Sequence, residues 1–142
     1  MKKVISVSVV LLLIVLLFNA KAFKPVKNAV SAVSKPAKVE VYYFHFTRRC
    51  VTCQAVESEA QKAMTALYPN QFKAGKITFK SVNLDENGSK ALADKCKAEG
   101  QALLVFSGNK RFDLTEQGFQ YARSKPDKLK QVLKNTIDPL IK

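Results

Sequence analysis

Apolar and polar positions change period several times along the chain. Val39 to Phe46 reads Val-Glu-Val-Tyr-Tyr-Phe-His-Phe, β-branched and aromatic and too short for a helix of its own, and predicts a strand. Beyond it Val56, Ala60, Met64 and Leu67 recur at helical spacing until Pro69 ends the pattern. Lys76 to Leu84 returns to a strand pattern, with Ile77, Phe79 and Val82 facing a core. Asn87-Gly88-Ser89 supplies turn and cap chemistry for a short helix from Ser89 to Ala98. Ala102 to Phe106 is a continuous apolar run of central-strand type, Ser107-Gly108-Asn109 a turn, and Arg111 to Thr115 its hairpin partner. A last helix opens near Pro126, with Leu129, Val132, Leu133, Thr136, Ile137 and Leu140 on one face. The predicted order is β-α-β-α-β-β-α, an α/β domain with a mixed sheet flanked by helices over residues 39–142.

The preceding 38 residues read differently. Lys2 and Lys3 begin the chain, Val4 to Phe18 is apolar apart from Ser6 and Ser8, and Ala20-Lys21-Ala22 offers small residues where a signal peptidase reads. The apolar stretch is short for a bilayer span, which needs about 20 residues. The expectation is a signal peptide over 1–22, the alternative an uncleaved membrane anchor. Residues 23–38, with two prolines, four lysines and no periodicity, read as a linker. The chain is therefore expected in a secreted or periplasmic compartment, where disulfides persist.

Charge adds little. The chain has 24 basic and 11 acidic side chains and a net charge of +13. In an exported protein this predicts acidic partners or an anionic membrane surface rather than nucleic acid.

The chemistry lies in Arg48-Arg49-Cys50-Val51-Thr52-Cys53, where the first strand gives way to the first helix. A Cys-x-x-Cys pair at such a turn can open and close a disulfide. Two intervening residues make a poor structural staple, since so short a loop constrains the unfolded chain little. Half a zinc site is the alternative for the motif itself, and Cys96 and His45 are the only other cysteine and histidine that could complete it.

The same order of elements, with Cys50 and Cys53 at the start of the first helix, resembles the thioredoxin-like family over nearly all of residues 39–142. Val82-Asn83-Leu84-Asp85-Glu86-Asn87 is similar to that family's second-strand segment, and Leu103-Leu104-Val105-Phe106 with its glycine turn to the third strand and hairpin. Three family features differ. Arg49-Cys50-Val51-Thr52-Cys53 replaces Trp-Cys-Gly-Pro-Cys, Phe44 stands where the family has a buried acid, and Gly100-Gln101-Ala102 occupies the neighbourhood of its cis-proline. The run Phe-His-x-x-x-Arg-Cys-x-Thr-Cys from Phe44 to Cys53 resembles an atypical subgroup of the family.

Within that frame Cys50, at the N-cap or first turn, is the expected nucleophile. Unpaired helix N–H groups and the charges of Arg48 and Arg49 favour its thiolate. Cys53, one turn further in, is the expected resolving thiol. His45 is a candidate proton carrier or a packed strand histidine, and Thr52 a cap or a plain helix-start residue. Cys96 is a buried small hydrophobe, a third redox thiol or a third ligand for a soft metal.

Three functions compete. The leading one is an exported thiol–disulfide oxidoreductase without a cofactor, acting on exported protein thiols or disulfides and drawing on a membrane thiol-electron transporter. The second is a module taking Cu, Zn or Hg on the same cysteines, and the third a redox-inactive interaction domain on a thioredoxin-like scaffold.

Overall fold

Strand β1 (Val39–His45) occupies an interior position in the sheet and buries every residue but Glu40. Both of its edges are paired and helices pack on both of its faces, which explains an apolar run with little alternation. The computed structural model describes residues 39–141. The expected signal peptide and linker lie outside the described residues.

Strand β2 (Ile77–Asn83) pairs parallel to β1 from Val39↔Ile77 to His45↔Asn83. A parallel neighbour requires a long crossover. Helix α1 (Val51–Leu67) supplies it, followed by the short helix α2 (Pro69–Lys73). Helix α3 (Ser89–Cys96) leads to β3 (Ala102–Ser107), antiparallel to β1 from Phe44↔Ala102 to Glu40↔Phe106. The hairpin strand β4 (Lys110–Asp113) closes the sheet in the order β2-β1-β3-β4. Helices α4 (Thr115–Tyr121) and α5 (Pro126–Ile137) and a 3-10 turn at Asp138–Leu140 complete the described chain. The fold is mixed α/β, with a four-stranded mixed sheet flanked by helices.

Successive side chains of a strand point to opposite faces, and β1 feeds two cores in this way. Val39, Val41 and Tyr43 pack with Val56, Ala60 and Met64 of α1 and Leu129, Leu133 and Ile137 of α5. Tyr42 and Phe44 pack on the other side with Leu104 of β3 and Ala93 and Cys96 of α3. Fully burying one such large apolar side chain contributes about 1.5–3 kcal/mol. Val132 and Thr136, expected on the buried stripe of α5, are only half-buried at its margin.

Two helices have no counterpart in the predicted order. Tyr68, before Pro69, leaves the helical region (φ −132°, ψ 48°), because proline crowds the backbone preceding it. Pro69 then opens α2 rather than a loop, its ring fitting a first turn. The expected strand Arg111 to Thr115 stops at Asp113. There the Asp113 carboxylate accepts both the backbone N–H of Thr115 at 3.1 Å and its hydroxyl at 2.6 Å. These bonds turn the chain into α4, and the Thr115 hydroxyl oxygen accepts the backbone N–H of Leu103 at 3.1 Å, tying the new helix to β3. Burial pushes the Asp113 carboxyl up, but the Thr115 bonds and the Arg111 guanidinium outweigh it and hold the group below its ordinary range. Among the described residues no helix is long and apolar enough to cross a membrane.

Candidate functional site at the start of the first helix

The strand-to-helix transition is a four-residue turn, Phe46–Arg49, ending in Cys50 as the N-cap of α1. Cys50 has extended backbone (φ −75°, ψ 164°), and its Sγ accepts the Cys53 amide at 3.2 Å. The cap role that sequence reasoning left open for Thr52 therefore belongs to Cys50. Thr52, half-buried at the second helical position, makes no side-chain hydrogen bond among the described residues. No acidic side chain lies in the first turn of α1, so no first-turn carboxylate offsets its positive end beside the sulfur.

Cys50 and Cys53 are joined by a disulfide with Cα atoms 5.1 Å apart. Their environments differ sharply. Cys50 is exposed, whereas Cys53, turned toward the sheet, is 3% exposed. The Cys50 residue lies at the surface and Cys53 in the interior, so an incoming thiol or disulfide meets the pair from the Cys50 side.

The two arginines part company. Arg49 is half-buried and paired with Glu57, two turns into α1, so much of its charge is neutralised locally. Arg48 is exposed and makes no such pair among the described residues. Two large hydrophobic side chains are exposed among the described residues, Phe46 at 38%, at the start of the turn, and Val51 at 66%, directly after Cys50.

His45 is buried in the strand below. Its ring stacks on Tyr43 with centroids 5.9 Å apart, and Nδ1 lies 2.9 Å from the Phe46 carbonyl, which suits the tautomer donating from Nδ1. These contacts make it a packed strand histidine; it reaches neither cysteine through any hydrogen bond. Tyr43 is fully buried and its hydroxyl has no partner. Burial pushes that hydroxyl up to about 12, with the charge of Arg49 pulling the other way. Gln101, where the resemblance would set a cis-proline, likewise carries a buried Oε1 without a partner.

The turn is held from the end of β2. Asp85 Oδ2 accepts the Thr47 amide at 2.7 Å, Asn83 Nδ2 donates to the Thr47 hydroxyl at 3.0 Å, and the Leu84 amide donates to the His45 carbonyl at 2.7 Å. The Thr47 bonds, backbone first, hold the Asp85 carboxyl below its ordinary range, assisted by His45.

Cys96 is not part of the site. It closes α3 in the cluster with Tyr42 and Phe44, on the face of the sheet opposite α1, and its carbonyl accepts Arg111 Nε at 3.1 Å. Burial pushes its thiol up, with Lys95 opposing. The sequence-based option of Cys96 as a third redox thiol or third ligand fails, because the sheet lies between it and the pair. Among the described residues no three His, Cys, Asp or Glu side chains gather as a metal site.

Sequence reasoning missed the Thr47–Asn83–Asp85 anchor, the Arg49–Glu57 pair and the exposure of Phe46 and Val51. Asp85 sits two residues beyond the end of β2, which a parallel pairing brings beside the end of β1; that pairing was the one signal available.

No protein-family model and no curated protein matches the chain. Among solved structures, one described as "Structure of a malarial protein" is similar at 20% identity, over 69% of this chain and 96% of that one, with a TM-score of 0.45. A likeness of that degree assigns neither fold family nor function.

Proposed function

We propose that the protein is an exported thiol–disulfide oxidoreductase of thioredoxin-like architecture that works through Cys50 and Cys53. The observation that carries this reading is the asymmetry of the pair: an exposed sulfur capping a helix N-terminus, bonded to a buried one a turn further in. In the reduced protein the helix end favours the Cys50 thiolate. That thiolate attacks one sulfur of a partner disulfide. A bond forms between Cys50 and the partner, the partner's own S–S bond breaks, and one partner thiolate leaves and takes up a proton. Cys53, after losing its proton, then attacks Cys50 Sγ, closes the intramolecular disulfide and releases the second partner thiol. The protein has lost two electrons and two protons and the partner has gained them; run backwards, the same steps oxidise a partner dithiol. Exported protein thiols or disulfides are the substrates on this reading, and a membrane thiol-electron transporter resets the pair.

The test is a trap in the native host with the full chain. Cys53→Ser leaves Cys50 able to attack and removes the resolving thiol, so mixed disulfides accumulate and dissolve on reduction. Cys50→Ser abolishes them, and Cys96→Ser leaves them unchanged. A Cys53→Ser protein that captures nothing, together with wild-type protein isolated with one equivalent of a soft metal, would replace this reading by metal binding at the two thiols.

A further inference from the structure

We propose that Arg48 selects protein partners that carry a carboxylate next to the cysteine under attack, on an apolar segment lying across Phe46 and Val51. The inference rests on the oxidoreductase reading and names the chemistry of its substrates. Of the two adjacent guanidinium groups, only that of Arg48 is available to a partner, because Arg49 is committed to Glu57. Arg48 lies on an exposed turn two residues before the exposed cysteine, with no acidic side chain in the first turn of α1 to offset it. Asp85, the acid that reaches this turn, accepts the Thr47 amide and makes no ion pair with Arg48 among the described residues. Residues 39–141 as a whole hold 16 basic and 11 acidic side chains, so the wider field has the same sign. Phe46 and Val51, the two exposed large hydrophobics of the described residues, open the turn and follow Cys50 directly, and they offer the same segment an apolar seat. A guanidinium fork pairs well with a carboxylate, and a charge at the rim of an encounter surface acts chiefly on the association rate.

Single-turnover kinetics test this with the full chain, reduced and freed of reductant. The probes are three symmetrical disulfides of the tripeptide Leu-X-Cys, blocked at both ends, with X as Glu, Gln or Lys. In each reaction the Cys50–Cys53 dithiol becomes a disulfide and the peptide disulfide becomes two thiols. Each rate is divided by that of the same peptide with dithiothreitol, which removes differences in leaving-group strength. Two unit charges about 4–6 Å apart at a wet surface change a rate roughly three- to fivefold, so the swing from attraction to repulsion is roughly ten- to twenty-fivefold. The wild-type protein should prefer Glu over Lys by about that factor at low salt and lose most of the preference at about 1 M salt. Arg48→Glu should invert the order, Arg48→Gln should flatten it, and Arg49→Gln should preserve it. Equal normalised rates for all three peptides, with the Gln peptide reacting readily, overturn the selectivity and leave the oxidoreductase reading standing. A Gln peptide that reacts no faster than with glutathione overturns both.

Discussion

Thr47 and Asp85 are 38 residues apart in the chain, yet the amide of one donates to the carboxylate of the other at 2.7 Å. This bond holds the turn that carries Cys50, so the shape of the site depends on a residue beyond the end of the neighbouring strand. The Asp85 carboxyl is held below its ordinary range, chiefly by the Thr47 backbone N–H. The folded value is thus lower than the unfolded one, and the stabilisation is present above the ordinary carboxylate range and lost as pH falls through the lowered folded value. The Thr47 amide resonance should stay fixed from neutral pH down to about pH 5 and move only in stronger acid. In Asp85→Ala its hydrogen exchange should accelerate at neutral pH; unchanged exchange would remove the anchor from this account.

Two buried tyrosines make opposite predictions. Tyr68 donates to Asp138 Oδ1 at 2.6 Å, whereas the Tyr43 hydroxyl has no partner. Tyr68→Phe should cost about 1–2 kcal/mol, since it deletes a buried hydroxyl's bond to a charged acceptor, although Asp138 keeps its pair with Lys134. Tyr43→Phe should be neutral or stabilising by roughly 1 kcal/mol, because it deletes a desolvated polar group. Urea unfolding of both variants checks the pair. The stability that Tyr43 contributes by staying neutral is whole below its unfolded value near pH 10 and is lost as pH rises toward about 12. Tyr43→Phe should therefore blunt alkaline unfolding in that window.

Gly118 lies in α4, where replacing glycine by alanine usually stabilises a helix by about 1 kcal/mol. Here a Cβ would come within 3.2 Å of Val56 Cγ1 and 3.3 Å of Leu103 Cδ2, both on fully buried residues that would have to shift by a few tenths of an ångström within the core. Gly118→Ala should reverse the usual sign and destabilise by roughly 1–3 kcal/mol. Thermal unfolding gives the answer, and a raised midpoint would mean that α4 slides freely over the sheet.

The three thiols of the reduced protein should alkylate in a fixed order. Cys50 is exposed at a helix N-terminus, Cys53 is 3% exposed, and Cys96 is 4% exposed with its thiol pushed up by burial. Iodoacetamide at mildly acidic pH should modify Cys50 first and Cys96 last, with mass mapping as the readout. Early modification of Cys96 would show that α3 opens more readily than its packing implies.

What the sequence disclosed follows from the range of the interactions involved. The apolar run of β1 and the helical period of Val56, Ala60 and Met64 are local patterns, and so is a cysteine pair at the junction between them. Helix α4 escaped because it is seven residues long, contains Gly118, and starts from an Asp113–Thr115 bond that looks like any polar hairpin end. The pairing of Arg49 with Glu57 could not be read, because Arg49 lies outside the helix and only the entry angle of the chain brings it over the second turn. The burial of Cys96 as a small hydrophobe was legible from its residue type, whereas its separation from the pair was not, because sequence does not say which face of the sheet a helix covers.

Because the N-cap of α1 is itself one of the two sulfurs, the helix end and the redox couple are a single thermodynamic object. A thiolate is a better acceptor for the Cys53 amide than a sulfur already spent in a disulfide. Whatever the folded chain gives the thiolate over the disulfide therefore appears twice: in the reduction potential, and in the difference between the unfolding free energies of reduced and oxidised protein. The cycle closes at about 1.4 kcal/mol for every 30 mV by which folding shifts the couple from its value in the unfolded chain. Denaturation curves of the two forms are thus a voltmeter for this site, readable before any partner is known.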